Sequence, residues 1–352
     1  MAIDLEEAQQ LQENWLARLA FGPDRARARL VHLWSGIFPV SWRQLRSANQ
    51  LQQHLQTIEE HLNADFGSLL TAMLLDPALQ ISLNGLANKR GRPNENLARE
   101  LLELFSLGEG NYKEFDVQET ARALTGYYLA PEAKLGLDPL RHDSSQKSIL
   151  GKTANFNAVS LAAWLAQQPS TALHISSRLW RGLVGSLPAK KRLLSVAKQW
   201  QDQKLSLAWL HNTLINSPEA IAARGKKVSD PILMISRSLA LLGSRNQEAL
   251  QISRVQLARM GQPPLDPPSV KGWPINEQWL NLRWLQARRQ GLTTLVANEE
   301  VWNSRNLPPM LLSSITPIPP LGLTLPSAAN RTNIAKLFKD PVWQLSARKN
   351  ET

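Results

Sequence analysis

The amino-acid sequence predicts an all-α protein, a single large multi-helical domain with a central helical hairpin and long polar loops. Nearly every periodic segment repeats apolar residues at i, i+3, i+4 and i+7, the spacing of one helix face. No alternating strand pattern exceeds a few residues, and the periodic segments end at proline or glycine. A chain of 352 residues can bury an ample core, and its lack of cysteine excludes disulfides, thiolate metal sites and a cysteine nucleophile.

The predicted helices follow one another at short intervals. They span residues 4–20, 43–63, 66–75, 95–107, 117–128, 158–167, 170–184, 189–201, 205–215, 230–242, 247–259 and 276–290. Residues 129–157 are polar and rich in turn formers, so we predict a long loop that docks on the hairpin. Because residues 303–330 are proline-rich, we divide the chain into a helical domain, 1–302, and an extended arm, 303–352, with a short helix near 331–338.

The first predicted helix has no feature of an export signal. It carries Asp4, Glu6 and Glu7 where a signal peptide has positive charge, and it lacks an uninterrupted apolar core. No run of about 18 apolar residues, the length that spans a membrane, occurs in the chain. The default expectation is therefore a cytoplasmic protein without a transmembrane segment, and the oligomeric state stays open.

The central hairpin, residues 92–128, carries the clearest helix signals. Asn94 is a suitable N-cap for the first helix, and Gly108 stands where a left-handed C-terminal cap is expected. Asp116, with Glu119 three residues later, forms a capping-box pattern for the second helix. The glycine-rich loop between the helices fails the calcium-loop spacing, because glycines occupy positions that need oxygen ligands.

Glu100 differs from its charged neighbours on the first hairpin helix. Glu95 and Arg99 share the polar face as an i, i+4 pair, whereas Glu100 lies at the margin of the apolar face. A carboxylate in that place needs a cation, and we expect Arg92 or Arg122 to supply it.

The polar side chains of the hairpin allow two interpretations. They could line an anion or sugar site, or they could hold the two helices together as a mutually satisfied buried network, which we favour. The residues concerned are Asn94, Glu95, Arg99, Glu100 and Arg122.

A second candidate binding site is the segment PPSVKGWPINEQW. Lys271 precedes a Gly-Trp-Pro turn, and Trp273 and Trp279 could stack their rings on sugars or bases. The alternative is that these tryptophans anchor the core and the loop, as most of the twelve tryptophans are expected to do.

The net charge of +11 belongs to the second half of the chain. Residues 1–150 contain 15 Lys and Arg against 19 Asp and Glu, whereas residues 151–352 contain 25 against 10. Such a field attracts nucleic acid, acidic glycans or anionic lipid, although a solvated basic face without a partner fits equally well. No recognised nucleic-acid motif accompanies the basic residues Lys190, Lys191, Arg192, Lys198, Arg224, Lys226 and Lys227.

Four ordered segments resemble a known family. They are RPNENLARELLELFSLGEGNY, FDVQETARALTGY, RHDSSQKSILGKTANFN and MGQPPLDPPSVKGWPINEQW. Together they look like the signature segments of the bacterial family known as "domain of unknown function 1800", over residues 29–290. The resemblance implies a mainly helical, often exported bacterial protein, and it implies no established reaction or cofactor.

The chain departs from the family pattern before the first of these segments. The family resembles Phe-Trp-His-x-His-Phe there, whereas this chain reads LWSGIF, with Ser35 and Ile37 in place of the histidines. If the family holds a metal with that pair and a later His-Asp, matched here by His142 and Asp143, this chain lacks two ligands. We therefore predict no metal site.

The remaining histidines suggest little chemistry. His54 and His61 share a helix face without a third ligand, which is typical of surface residues, and His174 and His211 have no partner at motif spacing.

The sequence therefore favours a non-catalytic binding or scaffold protein for an anionic, carbohydrate-like or protein partner. The first alternative is a hydrolase-type enzyme, possibly metal-dependent, that uses Glu100, His142 and Asp143 for acid-base chemistry. The second alternative is nucleic-acid binding through the basic C-terminal half.

Overall fold

Helices form most of the structure, a computed structural model that describes residues 4–45, 47–131, 134–305, 316, 318–324 and 328–346. The first seven are α1 (Leu5–Phe21), α2 (Arg25–Ile37), α3 (Ala48–Glu60), α4 (Phe66–Leu74), α5 (Pro77–Ser82), α6 (Asn96–Glu100) and α7 (Glu114–Ala123). A single π-helical turn, Leu101–Phe105, continues α6.

The second half repeats the pattern of antiparallel helices joined by short turns. Its helices are α8 (Ala158–Ala166), α9 (Pro169–Val184), α10 (Lys190–Asp202), α11 (Leu207–Ile215), α12 (Pro218–Ala222), α13 (Pro231–Leu242), α14 (Gln247–Arg259), α15 (Leu282–Ala297), α16 (Glu299–Asn303) and α17 (Arg331–Lys339). Single 3₁₀ turns occur at Trp42–Gln44, Gly85–Ala87, Asn276–Trp279 and Pro341–Gln344.

Two small sheets correct the prediction of an all-α fold. β1 (Tyr127–Leu129) pairs antiparallel with β2 (Leu135–Leu137), and β3 (Lys147–Ile149) pairs antiparallel with β4 (Lys152–Ala154). Three-residue strands are too short to show an alternating pattern, so the segment was predicted as a loop. The protein is mainly α-helical, with two β-hairpins between α7 and α8.

Several helices were missed or misplaced. The predicted helix 117–128 runs instead from Glu114 to Ala123, and the chain turns at Gly126, whose φ is +90°. Helices α5, α12 and α16 contain five or six residues, too few for a periodic pattern to stand out. The prediction also missed α2, which starts with the polar run RARAR, and it fused a 3₁₀ turn with a helix at 43–63 and again at 276–290.

The core is one continuous apolar cluster in which tryptophans are central. Trp34 is fully buried, with its ring centroid 6.1 Å from that of Phe38 and 6.2 Å from that of Phe66. Its indole Nε1 donates a hydrogen bond of 2.9 Å to His211 Nε2, and burial lowers the pKa of His211 to about 4. His211 is therefore a neutral acceptor inside the core.

The C-terminal helix is part of this core. Ile334, Leu337 and Phe338 of α17 are buried, and Trp343 lies in the following turn with 1% exposure. The predicted extended arm, 303–330, lies in large part outside the described residues.

Candidate functional site

Arg122 on α7 is the centre of a polar network that joins the hairpin to the following segment. Its Nη1 lies 2.6 Å from Glu119 Oε1, its Nε 2.8 Å from Asp143 Oδ2, and its Nη2 2.5 Å from Ser145 Oγ. Burial alone would raise the pKa of Asp143, but hydrogen bonds from Arg122 and Ser145 hold it well below its usual value. The expectation that Arg122 neutralises Glu100 is therefore wrong.

The carboxylates of α7 bind the β3–β4 hairpin through its backbone. Asp116 Oδ1 accepts from the amide of Leu150, and Glu119 Oε2 accepts from the amide of Ser148, each at 2.8 Å. Asp116 is the third residue of α7 and not its cap, because the helix begins at Glu114; its Oδ2 accepts from the Lys113 amide. The docking predicted for residues 129–157 is thus present, with strands in place of a loop.

His142 and Lys147 anchor the same segment. His142 is buried, and its Nδ1 donates a 2.9 Å hydrogen bond to the carbonyl oxygen of Thr125. Lys147 is fully buried, and its ammonium group donates to Asn155 Oδ1 and to the carbonyls of Asp143 and Phe156. Burial lowers the pKa of Lys147, and the three acceptors compensate for the lost hydration.

The exposed face of α6 carries a surface ion-pair group. Arg99 Nη2 lies 2.6 Å from Glu114 Oε1 and 3.1 Å from Glu95 Oε2. The predicted N-cap Asn94 lies one residue too early: Glu95 is the cap residue of α6 and makes no side-chain capping bond, whereas Asn94 Oδ1 accepts from the amide of Asn96 in the turn before the helix. Arg92 is exposed and forms no ion pair with another described residue, so it does not neutralise Glu100 either.

Two side chains of α9 bind a carbonyl at the C-terminal end of the π-helical turn. Leu104 O accepts from Arg178 Nη1 at 2.7 Å and from His174 Nε2 at 3.1 Å. Burial lowers the pKa of Arg178 to about 10, and burial together with Arg178 lowers that of His174 to about 4. π-Helical turns are frequent at functional sites, and this one joins α6 to α9.

Arg178 also reaches the C-terminal end of α2. Its Nη2 lies 3.4 Å from the carbonyl oxygen of Gly36, and its Nη1 lies 3.5 Å from that of Ile37. A cation at a helix C-terminus binds carbonyls that have no partner within the helix. Arg178 therefore connects the segment LWSGIF to the end of the first hairpin helix.

Glu100 lies half-buried beside this junction without a hydrogen bond to any other described residue. Burial and the neighbouring Glu103 raise its pKa, while Lys271 and Arg99 oppose the increase. Tyr112 donates a 3.2 Å hydrogen bond to Glu103, and burial, with Glu103, raises the pKa of Tyr112 to about 12. Lys271 is thus the predicted binding residue that the structure brings to Glu100.

The Gly-Trp-Pro turn packs on the end of α2. A Cβ atom at Gly272, whose φ is +81°, would lie 2.1 Å from the carbonyl oxygen of Gly36, so the two backbones touch. Trp273 is half-buried there, and with Ser35 it lines a crevice of about 10 Å³, room for about one water molecule.

Trp279 cannot serve as a stacking surface. It is fully buried, and its ring centroid lies 5.0 Å from that of Trp284. The alternative interpretation, a core anchor, describes Trp279 correctly.

The predicted surface position of His54 is wrong. This side chain is 1% exposed, its Nδ1 lies 3.0 Å from Asp76 Oδ1, and its Nε2 lies 3.0 Å from the carbonyl oxygen of Phe38. His61 is half-buried and donates from Nδ1 to the Thr57 carbonyl. Within the described ranges, no three histidine or acidic side chains form a group that could hold a metal ion.

The three residues of the acid-base hypothesis have separate partners. Asp143 is held by Arg122 and His142 by the Thr125 carbonyl, whereas the charges that act on Glu100 are those of Glu103, Lys271 and Arg99. Their catalytic role stays a prediction.

An open groove of about 720 Å³ lies apart from these segments, between α4, α8 and the turn after α10. Asp65, Ser68 and Lys204 line it, over a floor of small apolar residues. Both oxygens of Asp65 already accept from Ser68, so this groove presents few unoccupied polar groups.

The contacts described above lie within the span of a single protein-family model. The family model described as "Protein of unknown function (DUF1800)" matches residues 3–349. The chain belongs to the DUF1800 family. The match extends beyond residues 29–290, where the resemblance was recognised, so α1 and α17 are part of the DUF1800 unit. No curated protein and no solved structure matches the chain.

Sequence reasoning missed two site residues on α9, His174 and Arg178, which bind the carbonyl oxygen of Leu104. They stand four residues apart on α9 and therefore lie on the same side of the helix, next to the buried side of Ile175 and Leu179. A histidine and an arginine at i, i+4 spacing beside an apolar helix face were the available signal. Across the described part of the chain, no helix is both long and apolar enough to cross a membrane.

Proposed function

We propose that this DUF1800 protein is a non-catalytic binding protein that holds an anionic polymer on the basic surface of α10 and α12. The proposal is supported by the contrast between two sets of charged groups. The polar groups around Arg122 are saturated by one another, whereas a group of cations in the second half is exposed and forms no ion pair with another described residue: Lys190, Lys191, Arg224 and Lys226.

An ion pair supports the continuity of this basic surface. Arg192 Nε lies 3.3 Å from Glu219 Oε1, which brings the start of α10 next to the start of α12. Lys190 and Lys191 precede Arg192, and Arg224 follows α12. Lys227 does not contribute, because its ammonium group donates inward to the Gly182 carbonyl and burial lowers its pKa.

The partner is recognised by charge and not by base stacking. Trp279, one of the two tryptophans predicted to stack on bases, is fully buried. Single-strand binding proteins rely on exposed aromatic rings beside basic grooves. An acidic glycan or a similar polyanion therefore suits this surface better than single-stranded nucleic acid does.

Paired charge reversals test the proposal. Lys190→Glu with Lys191→Glu is compared with Arg283→Glu with Arg289→Glu, an equal charge change at exposed positions of α15. Heparin affinity is measured over a salt series. We expect the α10 variant to lose affinity at least about tenfold at about 0.15 M salt, with a salt slope smaller by roughly two, and the α15 variant to change little.

Three outcomes would contradict the proposal. They are equal losses in both variants, heparin binding that does not depend on salt, and affinity for single-stranded DNA well above that for heparin. Comparable heparin and DNA affinities that fall together with salt support recognition by charge.

A second candidate function depends on Glu100. Its pKa is raised by burial, it has no hydrogen-bond partner among the described residues, and a protonated carboxyl group is a suitable general acid. A panel of ester, phosphate and glycoside substrates would test this hydrolase function. Activity that is lost in Glu100→Gln and kept in Glu109→Gln, at an exposed loop position, would favour it over the binding function.

A further inference from the structure

We propose that one small monovalent anion, of halide size, binds in the protein interior beside Arg288 and Trp279. Arg288 on α15 is 0% exposed. Its Nη1 donates to the carbonyl oxygen of Ser229 at 2.9 Å and to Gln344 Oε1 at 3.3 Å, both uncharged acceptors. Its Nε and Nη2 are buried and find no acceptor among the described residues.

A second donor at the same place also has no acceptor. Trp279 is 0% exposed, and its indole Nε1 is buried without a partner among the described residues. The guanidinium carbon of Arg288 lies 5.6 Å from the centroid of the Trp279 ring. Buried N–H groups are nearly always hydrogen-bonded in folded proteins, so these three groups on two neighbouring residues require an acceptor that the described residues do not supply.

The local charge specifies the sign and the valence of this acceptor. The negative charge of Asp230 raises the pKa of Arg288, against the effect of burial, but the two side chains do not form an ion pair. Asp230 accepts from the Leu233 amide, lies 3.5 Å from His32 Nε2 and interacts electrostatically with Lys227, whose ammonium group donates to the Gly182 carbonyl. Two cations therefore surround one carboxylate, and a single negative charge would restore neutrality.

A water molecule could accept the hydrogen bonds, but it would not balance the charge. Burial lowers the pKa of Arg288 to about 10, so the guanidinium group stays protonated at neutral pH. An uncompensated buried cation is strongly destabilising, and a monoanion on Nε and Nη2 would offset that cost. Multivalent anions would replace one excess charge by another.

Halide-dependent stability tests the anion site. Thermal unfolding is followed in sodium bromide, sodium chloride and sodium isethionate at constant ionic strength. Above the dissociation constant, we expect Tm to rise by roughly 2 °C for each tenfold increase in halide, because ligand binding to the folded state stabilises it logarithmically. Equal Tm in halide and isethionate would overturn the proposal.

A matched pair of variants assigns the effect to Arg288. In Arg288→Met the halide dependence should disappear, whereas in Arg178→Met, which removes another buried arginine that binds only carbonyls, it should remain. A halide slope that persists in Arg288→Met contradicts the site. If that variant does not fold, bromide-soaked crystals of the unmodified protein decide: an anomalous peak within hydrogen-bond distance of Arg288 Nη2 supports the site, and no peak there excludes it.

Discussion

The substitution Arg122→Met tests whether the network on α7 holds the fold together. It leaves the carboxylates of Glu119 and Asp143, with side chains 10% and 15% exposed, without their cation. Breaking a fully buried pair costs about 3–5 kcal/mol, and because Arg122 is itself 29% exposed, we take the lower end, about 3 kcal/mol. An unfolding entropy of roughly 2.1 cal/mol/K per residue over 352 residues converts this to a decrease in Tm of about 4 °C.

The matched control is Arg99→Met. Arg99 also contacts two carboxylates, those of Glu95 and Glu114, but all three side chains are well exposed. Surface ion pairs contribute little, so differential scanning calorimetry should show a much smaller decrease in Tm for Arg99→Met. If both variants unfold at the same temperature, burial of the Arg122 network does not stabilise the protein and the reasoning is refuted.

Three further predictions concern backbone geometry and pH. Gly126→Ala should lower the unfolding free energy by roughly 2–4 kcal/mol in a urea titration, because φ is +90° and the new Cβ would lie 2.7 Å from the His142 amide nitrogen. The control Gly110→Ala should lose only about 1–2 kcal/mol, because a Cβ atom at Gly110 would meet no other atom within 4 Å. The folded-state pKa of Asp143 is lowered, so its stabilising contribution is present above about pH 4 and lost below it, and Asp143→Asn should flatten the acid side of the stability profile. The pKa of Glu100 is raised, so its effect has the opposite sign: Glu100→Gln should raise Tm at pH 7 and leave it unchanged at pH 3, and a lower Tm at pH 7 would contradict its burial.

The sequence was most informative where short-range interactions determine the structure. The predicted helix 247–259 coincides with α14, whose start Asn246 caps through its side chain. Gly108 has the predicted left-handed conformation, with φ of +84°. This conformation depends only on the neighbouring helix end, so the local sequence is enough to predict it.

The missed features depend on contacts between distant residues. Asp116 and Glu119 bind the β3–β4 hairpin by accepting hydrogen bonds from amides that lie 34 and 29 residues away in the sequence. Arg178 binds carbonyls 74 and 142 residues away. Neither contact leaves a periodic pattern in the sequence, and a single chain contains no information on which cation reaches which helix end.

The burial of Trp279 illustrates the same limit at the predicted binding site. Beside a proline and a polar turn, a tryptophan could equally be exposed for stacking or covered. The outcome is decided by α15, which places Trp284 and Arg288 against the ring. Trp273, six residues earlier, stays half-buried because it faces the end of α2.

A double-mutant cycle between Arg122 and Asp143 tests the central claim, that the signature polar residues stabilise one another and are not reserved for chemistry. Unfolding free energies are measured for Arg122→Met, Asp143→Asn and the double variant at pH 7. The account predicts a coupling energy of roughly 1.5–3 kcal/mol, the value of a hydrogen bond between charged groups. Additive effects, with no coupling, would contradict it.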